Sequence, residues 1–128
     1  MIVLDGSALF AILLGEPGAQ RCEDAIEHAD ELLMSAASLT ECLIVAAGKG
    51  VHDEMAAFLD GLHPTIVPVT VDRARAAADA YRAWGKGFHK ASLNFGDSFA
   101  YALAMEHECP LLFVGDDFSR TDVVRVGV

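Results

Sequence analysis

Apolar and polar positions follow two rhythms along this chain. The short apolar runs "MIVL", "ELLMS", "TIVPVTV", "PLLFVG" and "VVRV" read as strands. Pro68 cannot donate to a ladder, so it places "TIVPVTV" at a sheet edge or strand margin. Between these runs, apolar residues recur every three or four positions, the spacing of a helix with one buried face. "SALFAILL" is the first helix, after Asp5, Gly6 and Ser7 have turned the chain. "AQRCEDAIEHA" follows, with Pro17 near its first turn and Cys22, Ala25, Ile26 and Ala29 on one face. "SLTECLIVAAG" is closed by Gly48, and "VHDEMAAFLDGL" by Gly61. In "DRARAAADAYRAWG", Asp72 serves as N-cap and Gly85 as stop. "KGFHKASLN" is a loop, "GDSFAYALAMEHE" the last helix, and "DDFSRTD" a turn.

Strands separated by helices specify an α/β fold with a mainly parallel central sheet and helices on both faces. In such folds ligands gather beyond the carboxyl ends of the strands. The chain shows no internal repeat or linker, and its 128 residues suit one domain spanning 1–128. At 53% hydrophobic and 22% charged, the composition is that of a globular protein. The run "ALFAILL" falls far short of the roughly 18 apolar residues needed to cross a bilayer. "MIVLD" has a carboxylate where a secretory signal would have basic residues, so the expected location is the cytoplasm.

Cys22, Cys42 and Cys109 form no C-x-x-C pair, which excludes a structural zinc site and a disulfide framework and leaves them as core residues. The five histidines show no ligand spacing. A net charge of -10 opposes nonspecific affinity for nucleic acid. The charge is uneven, however: Arg73, Arg75, Arg82, Lys86 and Lys90 lie in a stretch whose only acid is Asp79. Tyr81, Trp84 and Phe88 are interleaved with them, a composition suited to phosphates and unpaired bases and equally to an alanine-rich helix with solvated cations.

The acids carry the candidate chemistry. Asp5 ends the first strand and can cap the following helix, unless Ser7 caps it and frees Asp5. Glu41 lies among apolar neighbours near a helix start, where it either serves a site or reaches back to Ser38 in an S-x-x-E capping box. Asp97 begins the last helix, with Gly96 to turn the chain and Ser98 to supply a cap oxygen. Asp116 and Asp117 follow the buried strand "LLFVG". Each has an ordinary structural explanation, yet all can converge at one end of a parallel sheet. Clustered carboxylates destabilise one another unless a cation neutralises them. An all-oxygen set selects a hard ion, Mg²⁺ or Mn²⁺, over zinc.

"MIVLDGSALFAILLGEP", "SAASLTE", "LNFGDSFAYALA" and "LLFVGDDFSRTDV", taken in order, resemble the PIN domain family and within it the VapC toxins of toxin-antitoxin pairs. The resemblance spans essentially the whole chain. It implies a three-layer PIN-like fold and a metal-dependent endoribonuclease that cuts RNA such as tRNA or ribosomal RNA. The family's acidic site falls on Asp5, Glu41 and Asp97, with Asp5 and Asp97 as direct ligands. The fourth acid is Asp116 or Asp117; Ser7 and Asn94 are supporting residues. Arg73, Arg82, Lys86 and Lys90 are the residues expected to contact RNA. The resemblance also implies a homodimer and a VapB-type antitoxin that places a basic side chain in the acidic pocket. Residues of "ALFAILL", Phe58 and Leu59 are candidates for its groove. Val114 stands where a lysine is usual in this pattern, which removes one expected phosphate contact. A receiver-type signalling domain would need an Asp after a middle strand and a Lys after a late one, and "LLMSAAS" and "LLFVGDD" supply neither. A PIN fold that only binds would not need its acidic positions filled.

Overall fold

The computed structural model describes residues 1–127. Its elements in chain order are β1 (Ile2–Leu4), α1 (Gly6–Leu14), α2 (Ala19–His28), β2 (Leu32–Ser35), α3 (Ala36–Gly48), α4 (His52–Leu62), β3 (Thr65–Val67), α5 (Val71–Trp84), α6 (Phe95–Glu106) and β4 (Leu111–Leu112). The four strands are all parallel, in the order β3-β2-β1-β4. Chain order thus reverses at β1, with β2 on one side and β4 on the other, and in open parallel sheets the carboxyl ends of strands at such a reversal are where ligands bind.

Alternation along each strand sends side chains to opposite faces and makes three layers. Ile2, Leu4, Met34 and Leu112 pack with Leu9, Cys22, Cys42, Ala46 and Met55 from α1 to α4. Val3, Leu33, Val67 and Leu111 meet Ala80 of α5, Ala100 and Leu103 of α6, and Phe113 and Phe118 beyond β4. Cys22 and Cys42 lie in the first core and Cys109 beside the second, all as free thiols.

Several boundaries differ from the pattern-based expectation, for local reasons. Pro17 and Gly18 form the turn ahead of α2 and lie outside it. Gly61 is inside α4, whose end is the left-handed His63 (φ 55°). Lys49 is the C-cap of α3, and Gly48 its last residue. Thr70, not Asp72, caps α5, accepting from the Arg73 N–H. The "TIVPVTV" run keeps only Thr65–Val67 as strand because Pro68 stops the ladder, and β3 is an edge. "VVRV" forms no strand and retains one bridge, Leu111 to Arg125. Among the described residues no helix is long and apolar enough to cross a membrane.

Candidate active site

Asp5 follows β1 directly and is 9% exposed. It is the N-cap of α1: its Oδ2 accepts from the Ser7 N–H (3.1 Å) and from the Ser7 hydroxyl (2.5 Å). Ser7 therefore supports Asp5 and does not replace it as cap. The Ser7 Oγ also accepts from the Val114 N–H at 3.0 Å. One hydroxyl thus ties the chain leaving β4 to the acid that ends β1. The lysine position is filled here by Val114, and its backbone N–H makes this tie.

Asp97 is 5% exposed and sits in the first turn of α6. The cap is Asn94, not Ser98. Asn94 Oδ1 accepts from the Asp97 N–H (2.8 Å), while Asp97 Oδ2 accepts from the Asn94 N–H (3.1 Å), a reciprocal capping box. Asn94 thereby fixes one oxygen of Asp97. Ser98 instead donates its hydroxyl to the Phe95 carbonyl at 2.6 Å.

Glu41 lies on α3 without the capping bond to Ser38. Ser35 caps that helix, accepting from the Ala37 N–H, so Ser38 is already inside it with its hydroxyl buried and unpaired. No hydrogen bond from the described residues reaches the Glu41 carboxylate, which packs against the start of α6. A Cβ built on Gly96 would overlap this carboxylate. Gly96 is helical rather than a sharp turn, and its missing side chain is the space that Glu41 uses.

The fields identify which acids share the site. Burial, opposed by the Asn94 hydrogen bond and joined by the charges of Asp5, Asp117 and Glu41, raises the Asp97 carboxyl to about 7. Asp5 is raised mainly by burial and additionally by Asp117, against the Ser7 hydrogen bonds. Glu41 is raised by burial and by Asp5. Of the two tail aspartates, both exposed, Asp117 is the one whose charge acts on both Asp5 and Asp97. Burial, with Asp5 and Glu41, also pushes the Cys42 thiol up to about 11, so it stays a neutral core group.

Among the described residues no lysine or arginine pairs with any of these carboxylates. Nor do three His, Cys, Asp or Glu side chains close around one point there. Oxygen donors from Asp5, Glu41 and Asp97, with Asp117 acting on two of them and no basic partner among the described residues, still match the chemistry of a hard divalent ion.

The PIN domain model matches residues 2–124. The chain belongs to the PIN domain family. It is 44% identical over 130 residues to Ribonuclease VapC30 of Mycobacterium tuberculosis, covering 99% of each chain. In fold it is similar to the structure of M. tuberculosis VapC20, described as a Sarcin-Ricin loop cleaving toxin: TM-score 0.78, 17% identity, 98% of each chain. It is also similar to a chain of a toxin-antitoxin complex from Klebsiella pneumoniae, with TM-score 0.73 at 16% identity over 98% of this chain and 97% of that one.

The tail of this PIN domain, which carries Asp117, is held by contacts that no motif announced. Phe118 is 2% exposed and packs on Phe113 at 5.1 Å. Arg21 donates to the Phe113 carbonyl (2.8 Å), Tyr101 donates to Asp122, and the Trp84 indole N–H donates to the Tyr101 hydroxyl (3.0 Å). Trp84 is thus engaged within the fold and is not free to stack on a base.

Arg73 also departs from its expected role. Its Nε and Nη2 hold both oxygens of Glu106 at 3.0 Å, so it joins α5 to α6. Arg82, Lys86 and Lys90 remain exposed. Most of "ALFAILL" is core, as is Leu59, whereas Ile12 and Phe58 line a groove with Ile26 and Leu62.

Proposed function

We propose that this PIN domain, a single unit over residues 1–128, is a VapC-type endoribonuclease toxin that uses Mg²⁺ or Mn²⁺. The observation that carries this reading is the set of acids at the strand ends: Asp5, Glu41 and Asp97 are each raised by burial and by neighbouring carboxylates, Asp117 acts on two of them, and none has a basic partner among the described residues. Asp5 and Asp97 would hold the ion directly, with Glu41 and Asp117 completing the set. When bound, the ion activates water and offsets the charge that develops on a phosphate in transfer. The protein's part is positional. The Ser7 bonds and the Asn94 capping box each fix one oxygen of their acid, and the α6 backbone approaches Glu41 closely at Gly96. Asp116, one residue earlier, is left as a turn residue. Exposed Arg82, Lys86 and Lys90 supply contacts to RNA phosphates, as expected where an acidic protein must hold a polyanion.

The proposed location is the cytoplasm and the proposed state a homodimer neutralised by a VapB-type antitoxin. A groove of about 370 Å³ between α1, α2 and α4 offers Ile12, Ile26, Phe58 and Leu62 beside Glu23 and Glu27. Its apolar walls and acidic rim suit a basic amphipathic segment.

The test is cleavage of total RNA by purified protein with Mg²⁺, with Mn²⁺ and with chelator, beside Asp97→Asn. Cutting that requires the ion and Asp97 is expected. A folded Asp97→Asn protein that cuts as well as the parent would refute the reading.

A further inference from the structure

Asp117 differs from Asp5 and Asp97 in how it is placed. It is exposed, and no donor among the described residues fixes its carboxylate as Ser7 fixes Asp5 and Asn94 fixes Asp97. Its position therefore depends on where the backbone of the tail is anchored. One anchor is Phe118 on Phe113. The other is Asp122, which accepts from the Tyr101 hydroxyl. Between Asp117 and Asp122 the chain is bonded to itself in consecutive turns. The Ser119 N–H donates to the Asp116 carbonyl and the Thr121 N–H to the Phe118 carbonyl, both at 3.1 Å, and the Thr121 hydroxyl reaches the Phe118 carbonyl at 2.8 Å. A displacement of Asp122 is thus carried to Asp117 by a short, internally bonded segment.

Tyr101 stands four residues after Asp97 on α6, so the two side chains share one face of that helix, a turn apart. The phenol is 8% exposed, and burial, with the Asp122 bond, pushes it up to about 12, so it remains a donor. A buried hydroxyl is costly unless it is bonded, and this one is bonded twice, since it also accepts from the Trp84 indole N–H at 3.0 Å. Trp84 is in turn held by its backbone. Its carbonyl accepts from the Leu93 N–H at 3.1 Å, and the residue after Leu93 is Asn94, the cap that fixes one oxygen of Asp97. One residue at the end of α5 thereby joins the support of Asp97 to the anchor of the segment that carries Asp117.

We propose that Tyr101 is a positioning residue for the ion site: through Asp122 it sets where Asp117 stands relative to Asp97, and Trp84 holds the phenol in place for this. The inference rests on the metal-dependent reading above and names a residue through which that site is assembled.

The test is calorimetric titration of Mg²⁺ and of Mn²⁺ into the purified parent and its variants, with thermal melts to confirm folding. Tyr101→Phe keeps the ring and removes the hydroxyl, and should weaken ion binding by about tenfold or more, the range for losing a support of a metal ligand. The ion concentration for half-maximal RNA cleavage should rise by the same factor, while KM for RNA at saturating ion stays unchanged. Asp122 is exposed, so Asp122→Ala breaks the same bond without touching the core and should match Tyr101→Phe. Asp122→Asn keeps an accepting oxygen and should restore ion binding. In an Asp117→Ala background Tyr101→Phe should cost nothing further. A folded Tyr101→Phe protein that binds the ion like the parent overturns the inference. So does an equal loss from Tyr101→Phe with and without Asp117, which would make the phenol a general support of the fold. A parent that binds neither ion overturns the metal-dependent reading and this inference with it, whereas a parent that binds one with an indifferent Tyr101 removes only the positioning role.

Discussion

Asp97 and Arg73 stand on neighbouring helices and carry charge under opposite conditions. Asp97 is buried, its carboxyl is raised to about 7, and the charges acting on it are three other carboxylates. Arg73 is partly exposed, and Glu106 meets its guanidinium at two oxygens. The basic stretch has settled its charges with nearby acids and water, which is the ordinary condition of a protein surface. The acidic site has not. Carboxylates kept from water without a countercharge are costly, and the arrangement is intelligible when something positive is part of its working state.

Removing one of those carboxylates is the largest perturbation of this contrast. Asp97→Asn should lower RNA cleavage by roughly 10²–10³-fold, the cost of losing a group that places charge against the transition state. Thermal stability of the metal-free protein at pH 8 should rise in the same variant, because a buried negative charge is gone. A variant that lost stability instead would show that Asp97 is satisfied within the fold.

Proton linkage tests the same point without mutation. The folded Asp97 keeps its proton up to about pH 7, whereas the unfolded chain releases it near 3.8. The folded state therefore binds more protons across that window. The stabilisation from this group is fully present below about pH 4 and is lost as pH rises through 7. The change is on the order of 4 kcal/mol, and Asp5 adds in the same direction. Thermal melts in chelator should show a falling midpoint from pH 4 to 8. Mg²⁺ should restore more of it at pH 8 than at pH 5, since the ion competes with protons for the same oxygens. A flat profile in chelator would contradict the burial of unpaired carboxylates.

A smaller effect is expected from Gly96→Ala. The added methyl group would displace the Glu41 carboxylate, the flexible partner, and leave the backbone in place. Activity should fall by about 10- to 100-fold, the range for disturbing a support of a metal site, while the melting temperature changes little. Steady-state cleavage with a melt of the same sample checks both halves. The smallest effect belongs to the basic side. Lys86→Ala should leave cleavage of a saturating substrate intact and reduce the salt dependence of RNA binding by about one unit of log-log slope. A titration at several salt concentrations reads this directly.

The fold was largely legible. Separated apolar runs and helical repeats gave the parallel α/β order, and Pro68 marked β3 as an edge, because strand and helix each impose a period on any chain that buries one face. Boundaries were less legible where neighbouring residues compete for one role. Asp72, Gly61 and Ser98 are all suitable cap or stop residues, yet Thr70, His63 and Asn94 hold those positions. "VVRV" has strand composition but makes one bridge, since pairing depends on a partner that its own sequence does not specify. At the site, the residue types Asp5, Glu41 and Asp97 were visible, and their supports were not. Gly96 looks like a turn residue in the sequence but is room for Glu41 in the fold, and nothing in the sequence marks Phe95 as exposed.

The sequence by itself determined the order of elements, the apolar faces and which acids stand at strand and helix ends, because these follow from local periodicity and capping chemistry. Tertiary structure alone decided which of those acids meet. Asp117 rather than Asp116 bears on Asp5 and Asp97 because Phe118 is buried on Phe113 and Val114 is tied to Ser7. Arg73 is turned to Glu106, and Phe88 and Phe95 come to share one groove, through the packing of α5 on α6. Charge and exposure depend on distances across the fold, and those distances exist only once the layers have closed.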